Sequence, residues 1–225
     1  MMIRKLLAAS AVAVSLTLGG ALAQQPSPQR TLVVAVSSDP ANLEPGTNRA
    51  EPIGSEIIIN VFDTLVAWKS PDFKELEGRL AESWTISPSG TDFTFKLRAG
   101  VKFHDGTDFN AEAVKFSLDR LFAPDSPTPA KSLYTDIDKV EVIDPSTVKV
   151  TLKSPNSFLL YSLSLGDAGI MHPKSAPTND KTPIGTGPFM FKERKEGDSI
   201  TLEKSPSYRD PAEIKLKTVI FKVVK

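Results

Sequence analysis

Three features of the chain predict a mixed α+β fold. Short β-hairpins with one apolar face recur along it, a single long amphipathic helix stands among them, and strands and helices do not alternate regularly. "TLVVAV" (31–36) is an apolar, β-branched run that reads as a buried strand. "SSDPANLEPGTNRAEP" after it is loop-like, with three prolines and a Pro-Gly. "GSEIIINVFDTLVAW" (54–68) reads as a helix passing into a strand, since Ile and Val are acceptable in a buried helix.

From residue 83 to 97 the period changes to two. Trp84 and Ile86 alternate with polar residues, "SPSG" turns the chain, and Phe93, Phe95 and Leu97 alternate again, which predicts a hairpin. "VEVID-PST-VKVTL" (140–152) predicts a second hairpin through a tight Asp-Pro-Ser-Thr turn. "FMFKERKEGDSITLEK" (189–204) predicts a third, turning at Glu196-Gly197-Asp198, and "LKTVIFKVV" closes the chain as a strand whose edge is expected to be unpaired. Between the first two lies a helix over 111–122. Asn110 is placed to cap it, Glu112 suits the positive end of its dipole, and Ala111, Val114, Leu118, Leu121 and Phe122 form one face directed at the preceding hairpin. Phe116 lies off that face. A shorter helix is predicted around "NSFLLYSLSL".

The first 23 residues read as a secretory signal peptide rather than as fold. Arg4 and Lys5 precede the uncharged run "LLAASAVAVSLTL", and small residues at Ala21 and Ala23 mark cleavage after Ala23. The run is short for a membrane span, and the alternative is an uncleaved N-terminal anchor. Removing 23 of the 225 residues leaves 202, with 25 basic against 27 acidic side chains. Near neutrality without a basic stripe argues against nucleic acid or an anionic membrane as partner. The chain has no cysteine, so it has no thiol nucleophile, thiolate metal site or lipid-bearing cysteine at the new N-terminus. A periplasmic protein that is not a lipoprotein is expected.

The catalytic-looking groups weaken on inspection. His104 and Asp105 are adjacent, and adjacent residues of an extended segment point to opposite faces. Asp105-Gly106 reads as a turn. His104 and His172 share no metal-ligand spacing, so neither a metal nor a cofactor is expected. Glu112, Lys115 and Asp119 lie at helical spacings that describe a solvated, weakly paired face. "PIGTGPF" (183–189) lacks the third glycine of a dinucleotide loop and the Gly-Lys of a phosphate loop, and Pro188 removes a backbone donor. It reads as a rigid turn into a strand. No catalytic serine motif is present, so an enzyme is not expected.

Four segments in order carry a resemblance. "TLVVAVSSDPANLEP", "LAESWTISPSGTDFTFKLRAGVKFHDGTDFNAEAVKFSLDR" (80–120), "PIGTGPFMF" (183–191) and "SITLEKSPSYRDPAEIKLKTVIFKVV" (199–224) resemble the family 5 extracellular solute-binding proteins, the dipeptide- and oligopeptide-binding components of ABC importers. The resemblance implies the first lobe of a two-lobed, type II-like periplasmic-binding-protein clamp, spanning 24–225 with an inserted subdomain at about 68–176. It implies a monomer that binds a small peptide or similar solute and delivers it to an inner-membrane permease, the second lobe supplying the acidic anchor for a peptide's amino terminus. It places Asn48, Arg49, Ala50 and Glu51, then Gly185, Thr186 and Gly187, and Tyr208 at the cleft. Arg209 stands where the family often has Trp. Turn geometry or surface polarity accounts for each of these positions as well. The alternatives are a non-binding remnant or interaction module, and an exported hydrolase.

Overall fold

The computed structural model describes residues 30–47 and 52–224. Its elements are, in order, strand β1 (Thr31–Val36), helix α1 (Pro52–Ile58), strands β2 (Val66–Trp68), β3 (Leu76–Gly78), β4 (Ala81–Ile86) and β5 (Asp92–Leu97), and helix α2 (Ala111–Phe122). Strands β6 (Ile137–Asp144) and β7 (Thr147–Leu152), the single turn α3 (Leu159–Ser162), and strands β8 (Phe189–Lys195), β9 (Ser199–Lys204) and β10 (Thr218–Val223) follow. The prediction of a mixed α+β chain is met. Among the described residues, no helix is long and apolar enough to cross a membrane.

Two four-stranded sheets organise the chain. One has the order β4-β5-β7-β6 and is antiparallel throughout; the other has the order β1-β10-β9-β8, with β1 parallel to β10 and the rest antiparallel. Strands β2 and β3 form a separate short ribbon. The apolar core divides in the same way. Residues from Leu65 to Ile170 pack around the first sheet, including Phe95, Phe103, Leu118 and Tyr134. A second cluster joins Leu43, Ile57, Ile58, Val61 and Phe62 to Met171, Leu202 and Phe221 on the other sheet. The chain leaves the second cluster after Phe62 and re-enters it at Met171, so the connections near those two points carry the junction.

Helix α2 spans the predicted residues, and Asn110 caps it by accepting the Ala113 amide at 3.1 Å. Its buried face contains Ala111, Val114, Leu118 and Leu121, with Phe122 partly covered. It lies mainly against β6 and β7, the hairpin that follows it, and shares a core cluster with Phe93, Phe95 and Leu97 of the one before. The sheet order explains this: β7 sits between β5 and β6, so the later hairpin completes the surface that α2 covers. Phe116, off the apolar face, lies beneath the Arg120 guanidinium at 5.6 Å, and Arg120 pairs with Glu44.

Strand β1 differs from its expected burial. Only Val36 is buried, whereas Leu32 and Val33, which face opposite sides, are 44% and 59% exposed. Strand β1 is the edge of its sheet and pairs with β10 alone. The closing strand β10 is therefore interior, held between β1 and β9, and not the edge that its terminal position suggested.

Candidate functional site

The glycine pair of "PIGTGPF" is explained by a close backbone approach. A Cβ on Gly185 would lie 2.1 Å from the Val61 carbonyl oxygen, and one on Gly187 would lie 2.7 Å from that of Asn60. Real side chains do not approach backbone this closely, so the turn reaches the segment after α1 only because it carries no side chain there. The approach is fastened by Gly187 N–H to Val61 O at 2.9 Å and by Phe189 N–H to Asn60 O at 3.0 Å.

His104 holds the other side of this turn. Its backbone amide donates to Gly185 O at 2.9 Å. Its ring Nδ1 accepts the Gly185 amide at 3.3 Å, and Nε2 lies 3.0 Å from Gly187 O. A carbonyl can only accept, so Nε2 carries the proton, and Nδ1 must be bare to accept an N–H. The neutral Nε2–H tautomer satisfies both bonds. Burial holds the His104 pKa below its ordinary 6.5, while the Gly187 bond and Asp105 act in the opposite direction. Asp105 itself accepts the Thr107 amide and hydroxyl at 3.0 and 2.6 Å, closing the Asp-Gly turn. The pair that looked like acid and base is a structural clamp and a turn.

This clamp has a pH signature. The unfolded chain takes up a proton on His104 near pH 6.5, but the folded chain resists until a lower pH. The unfolded state thus binds more protons in that window, and stability falls as pH drops below about 6.5. The difference in Tm between pH 7.5 and pH 5.5 is expected to be larger in the wild type than in His104→Gln, which has no proton to gain. Equal differences in the two proteins would contradict the clamp.

Beneath the turn lies a charge that the sequence reading missed. Asp63 sits in the apolar stretch "IIINVFDTLVAW", and its side chain is only 6% exposed. A carboxylate there requires a partner. Arg209 Nη1 meets its Oδ2 at 2.5 Å, and the Thr186 hydroxyl donates to the same oxygen at 3.4 Å. Burial pushes the Asp63 pKa above the usual carboxylate range, opposed by Arg209, by Arg79 and by the Thr186 bond. Arg209 also contacts Asp210 at 3.2 Å and stands 4.8 Å over the Tyr208 ring. The isolated acidic residue inside an apolar run was the signal available in the sequence. The departure at Arg209 was visible too, but its partner, 146 positions away in the chain, was not.

A pocket of about 410 Å³ opens beside this knot. Ile59, Phe62, Trp68 and Phe73 supply its apolar wall, and Asp63 and Arg79 its charges. Trp68 is braced edge-on by Tyr161 at 6.4 Å. Of the residues expected at the cleft, Gly185, Thr186, Gly187 and Tyr208 come together around Asp63, all buried. Their polar contacts are with the chain itself: Thr186 serves Asp63, and the two glycines serve His104 and Val61. Asn48, Arg49, Ala50 and Glu51 lie outside the described residues.

Residues 75–225 match the family described as "Bacterial extracellular solute-binding proteins, family 5 Middle". The chain belongs to this family. Its similarity to one member, the glutathione-binding protein GsiB of Escherichia coli K12, is 36% identity over 199 residues, covering 87% of this chain and 38% of that protein. Among solved structures, the binding protein AgaA of A. tumefaciens R10 in complex with agropinic acid superposes with a TM-score of 0.80 at 30% identity, covering 86% of this chain and 40% of that one. NikZ of Campylobacter jejuni in complex with Ni(L-His) gives 0.77 at 29%, covering 88% and 40%. DppA of Helicobacter pylori with the peptide STSA gives 0.75 at 28%, covering 87% and 43%. The family 5 chain described here thus spans less than half the length of these relatives, and its fold is the one that this part of them shares.

Proposed function

We propose that this chain captures a small solute, a short peptide foremost, and presents it to the permease of an ABC importer. In this reading residues 1–23 export it to the periplasm. Residues 24–225 act as a monomeric first lobe, with the stretch at about 68–176 as an inserted subdomain, and the cleft forms around residues 48–51, the Gly185–Thr186–Gly187 turn and Tyr208. The observation that carries the proposal is the 36% identity to a glutathione-binding protein across 87% of the chain. The division of the core at Phe62 and Met171 favours the inserted subdomain. A hydrolase reading has no free base in His104, because both of its ring nitrogens are engaged. Capture would work by shifting an open–closed equilibrium through differential affinity, with no covalent change in the ligand.

Calorimetry tests this directly. Glutathione and a panel of short peptides are titrated into the chain, and saturable heat with at least one of them is expected. Heat with none of them, or only with a nickel–histidine complex or an opine, overturns the peptide assignment.

A further inference from the structure

We propose that the pocket beside Asp63 is a subsite for a small organic carboxylate with an apolar or aromatic body, its carboxylate held by Arg79 and its body lying against Trp68 and Phe73. The inference deepens the solute-binding reading by naming a ligand class for a pocket next to the Gly185–Thr186–Gly187 turn. Its experiment is arranged so that either idea can fail without the other.

About 410 Å³ falls within the range of small-molecule sites, roughly 300–1,000 Å³. Ile59 and Phe73 line this space while remaining 58% and 62% exposed, so large apolar side chains are presented to an opening instead of being spent in the core. Phe73 does this from a backbone φ of 52°, a left-handed conformation that bulky residues rarely adopt. Such outliers persist where the surroundings hold them, and they concentrate at binding sites. Trp68, braced by Tyr161, provides a firm aromatic surface at the same opening.

Charge then selects the ligand's polar group. The lining hydroxyls already donate, Thr64 to Val66 O at 2.6 Å and Ser164 to Tyr161 O at 2.7 Å. Asp63 Oδ2 is committed to Arg209 and Thr186. Arg79 is different. Among the described residues its nearest carboxylate is Glu77, 3.7 Å from Nε and beyond hydrogen-bonding range. A guanidinium has five donors in a planar fork that matches a carboxylate, so Arg79 keeps capacity for an anion. An ammonium group would instead face Arg79 and find the Asp63 charge already balanced by Arg209. The pocket therefore favours an anion with an apolar body over a cation of the same shape.

The test uses N-acetyl-L-phenylalanine at pH 7.5, which has the carboxylate and the ring but no ammonium. The chain has two tryptophans, so in a Trp84→Phe background Trp68 is the sole indole reporter. Saturable change in Trp68 fluorescence is expected, with calorimetry on the unmodified chain as an independent measure. Affinity should fall at least tenfold in Arg79→Gln, at least tenfold for the neutral N-acetyl-L-phenylalaninamide, and several-fold in Phe73→Ala. Arg79 is half-buried at the rim, and an unchanged Tm for Arg79→Gln shows that the loss is one of binding. Equal binding of acid and amide, an unaffected Arg79→Gln, or no binding overturns the inference. If the acid fails to bind, or binds Arg79→Gln and wild type alike, while a peptide still binds, the inference fails and peptide capture stands. If the acid binds in an Arg79-dependent manner and no peptide binds, the subsite stands and the peptide assignment fails.

Discussion

Replacing Arg209 with alanine is expected to cost about 3–5 kcal/mol of folding stability, the range for breaking a buried ion pair from one side. The cause is the group left behind. Asp63, with its side chain 6% exposed, would keep only the long Thr186 bond and the more distant influence of Arg79. Two further results distinguish this cause from lost packing of the Arg209 stem. The double variant Arg209→Ala with Asp63→Asn removes the unpaired charge and should recover a large part of the loss. The cost should also depend on pH. Burial raises the Asp63 pKa in the folded chain above its ordinary 3.8, so the folded state holds a proton that the unfolded state has released. This contribution to stability is lost as pH rises through that window. Removing Arg209 removes the main opposing influence and extends the window upward, so the variant should fall further behind wild type at pH 7 than at pH 4. Urea midpoints at the two pH values measure this, and a loss independent of pH would assign the effect to packing.

Gly185→Ala should be nearly as damaging, at about 3 kcal/mol, near the upper end of what overpacking usually costs. The added carbon would lie 2.1 Å from Val61 O, 2.8 Å from Val61 C and 2.9 Å from Phe62 Cδ1. Two of these are backbone atoms, held in place by the Gly187 bond to Val61, so no side-chain rotation relieves the contact. Gly106→Ala is the appropriate comparison. Gly106 has a φ of +85° and open space around the position of a Cβ, so its substitution carries only a conformational penalty of about 1–2 kcal/mol. Gly185→Ala is expected to lower the urea midpoint more than Gly106→Ala. The reverse order would mean that the turn and the 60–62 segment are not packed as described. Because Asp63 follows directly from that segment, a displaced turn should also weaken ligand binding in the neighbouring pocket.

Period and capping made the local elements legible. Alternation at Phe93, Phe95 and Leu97 marked a strand, and the apolar face of Ala111, Val114 and Leu118 after a capping Asn110 marked a helix with its correct ends. Partners were less legible. The run 31–36 has the composition of an interior strand, yet its place at a sheet edge leaves Leu32 and Val33 exposed. The face of α2 was readable, but the hairpin it covers was not, because that choice depends on β7 entering between β5 and β6. The turn at 185–187 was singled out for its glycines, and the structure supplies their reason in Val61 and Asn60. Phe116 meets Arg120 one helical turn on, at a spacing the sequence contains, whereas the pairing of Arg120 with Glu44 across 76 positions is the work of the fold.

By itself, then, the sequence determined the mixed class, the three hairpins, the long helix and the family resemblance. These rest on interactions among residues a few positions apart, or on ordered segments that can be compared directly. The tertiary structure decided which residues form the candidate site. Asp63 and Arg209, or His104 and Gly187, meet across long stretches of chain, and neither partner carries a local mark of the other. A buried charge shows in sequence only as an oddity within an apolar run. The fold alone shows what neutralises it and which neighbouring guanidinium remains available to a ligand.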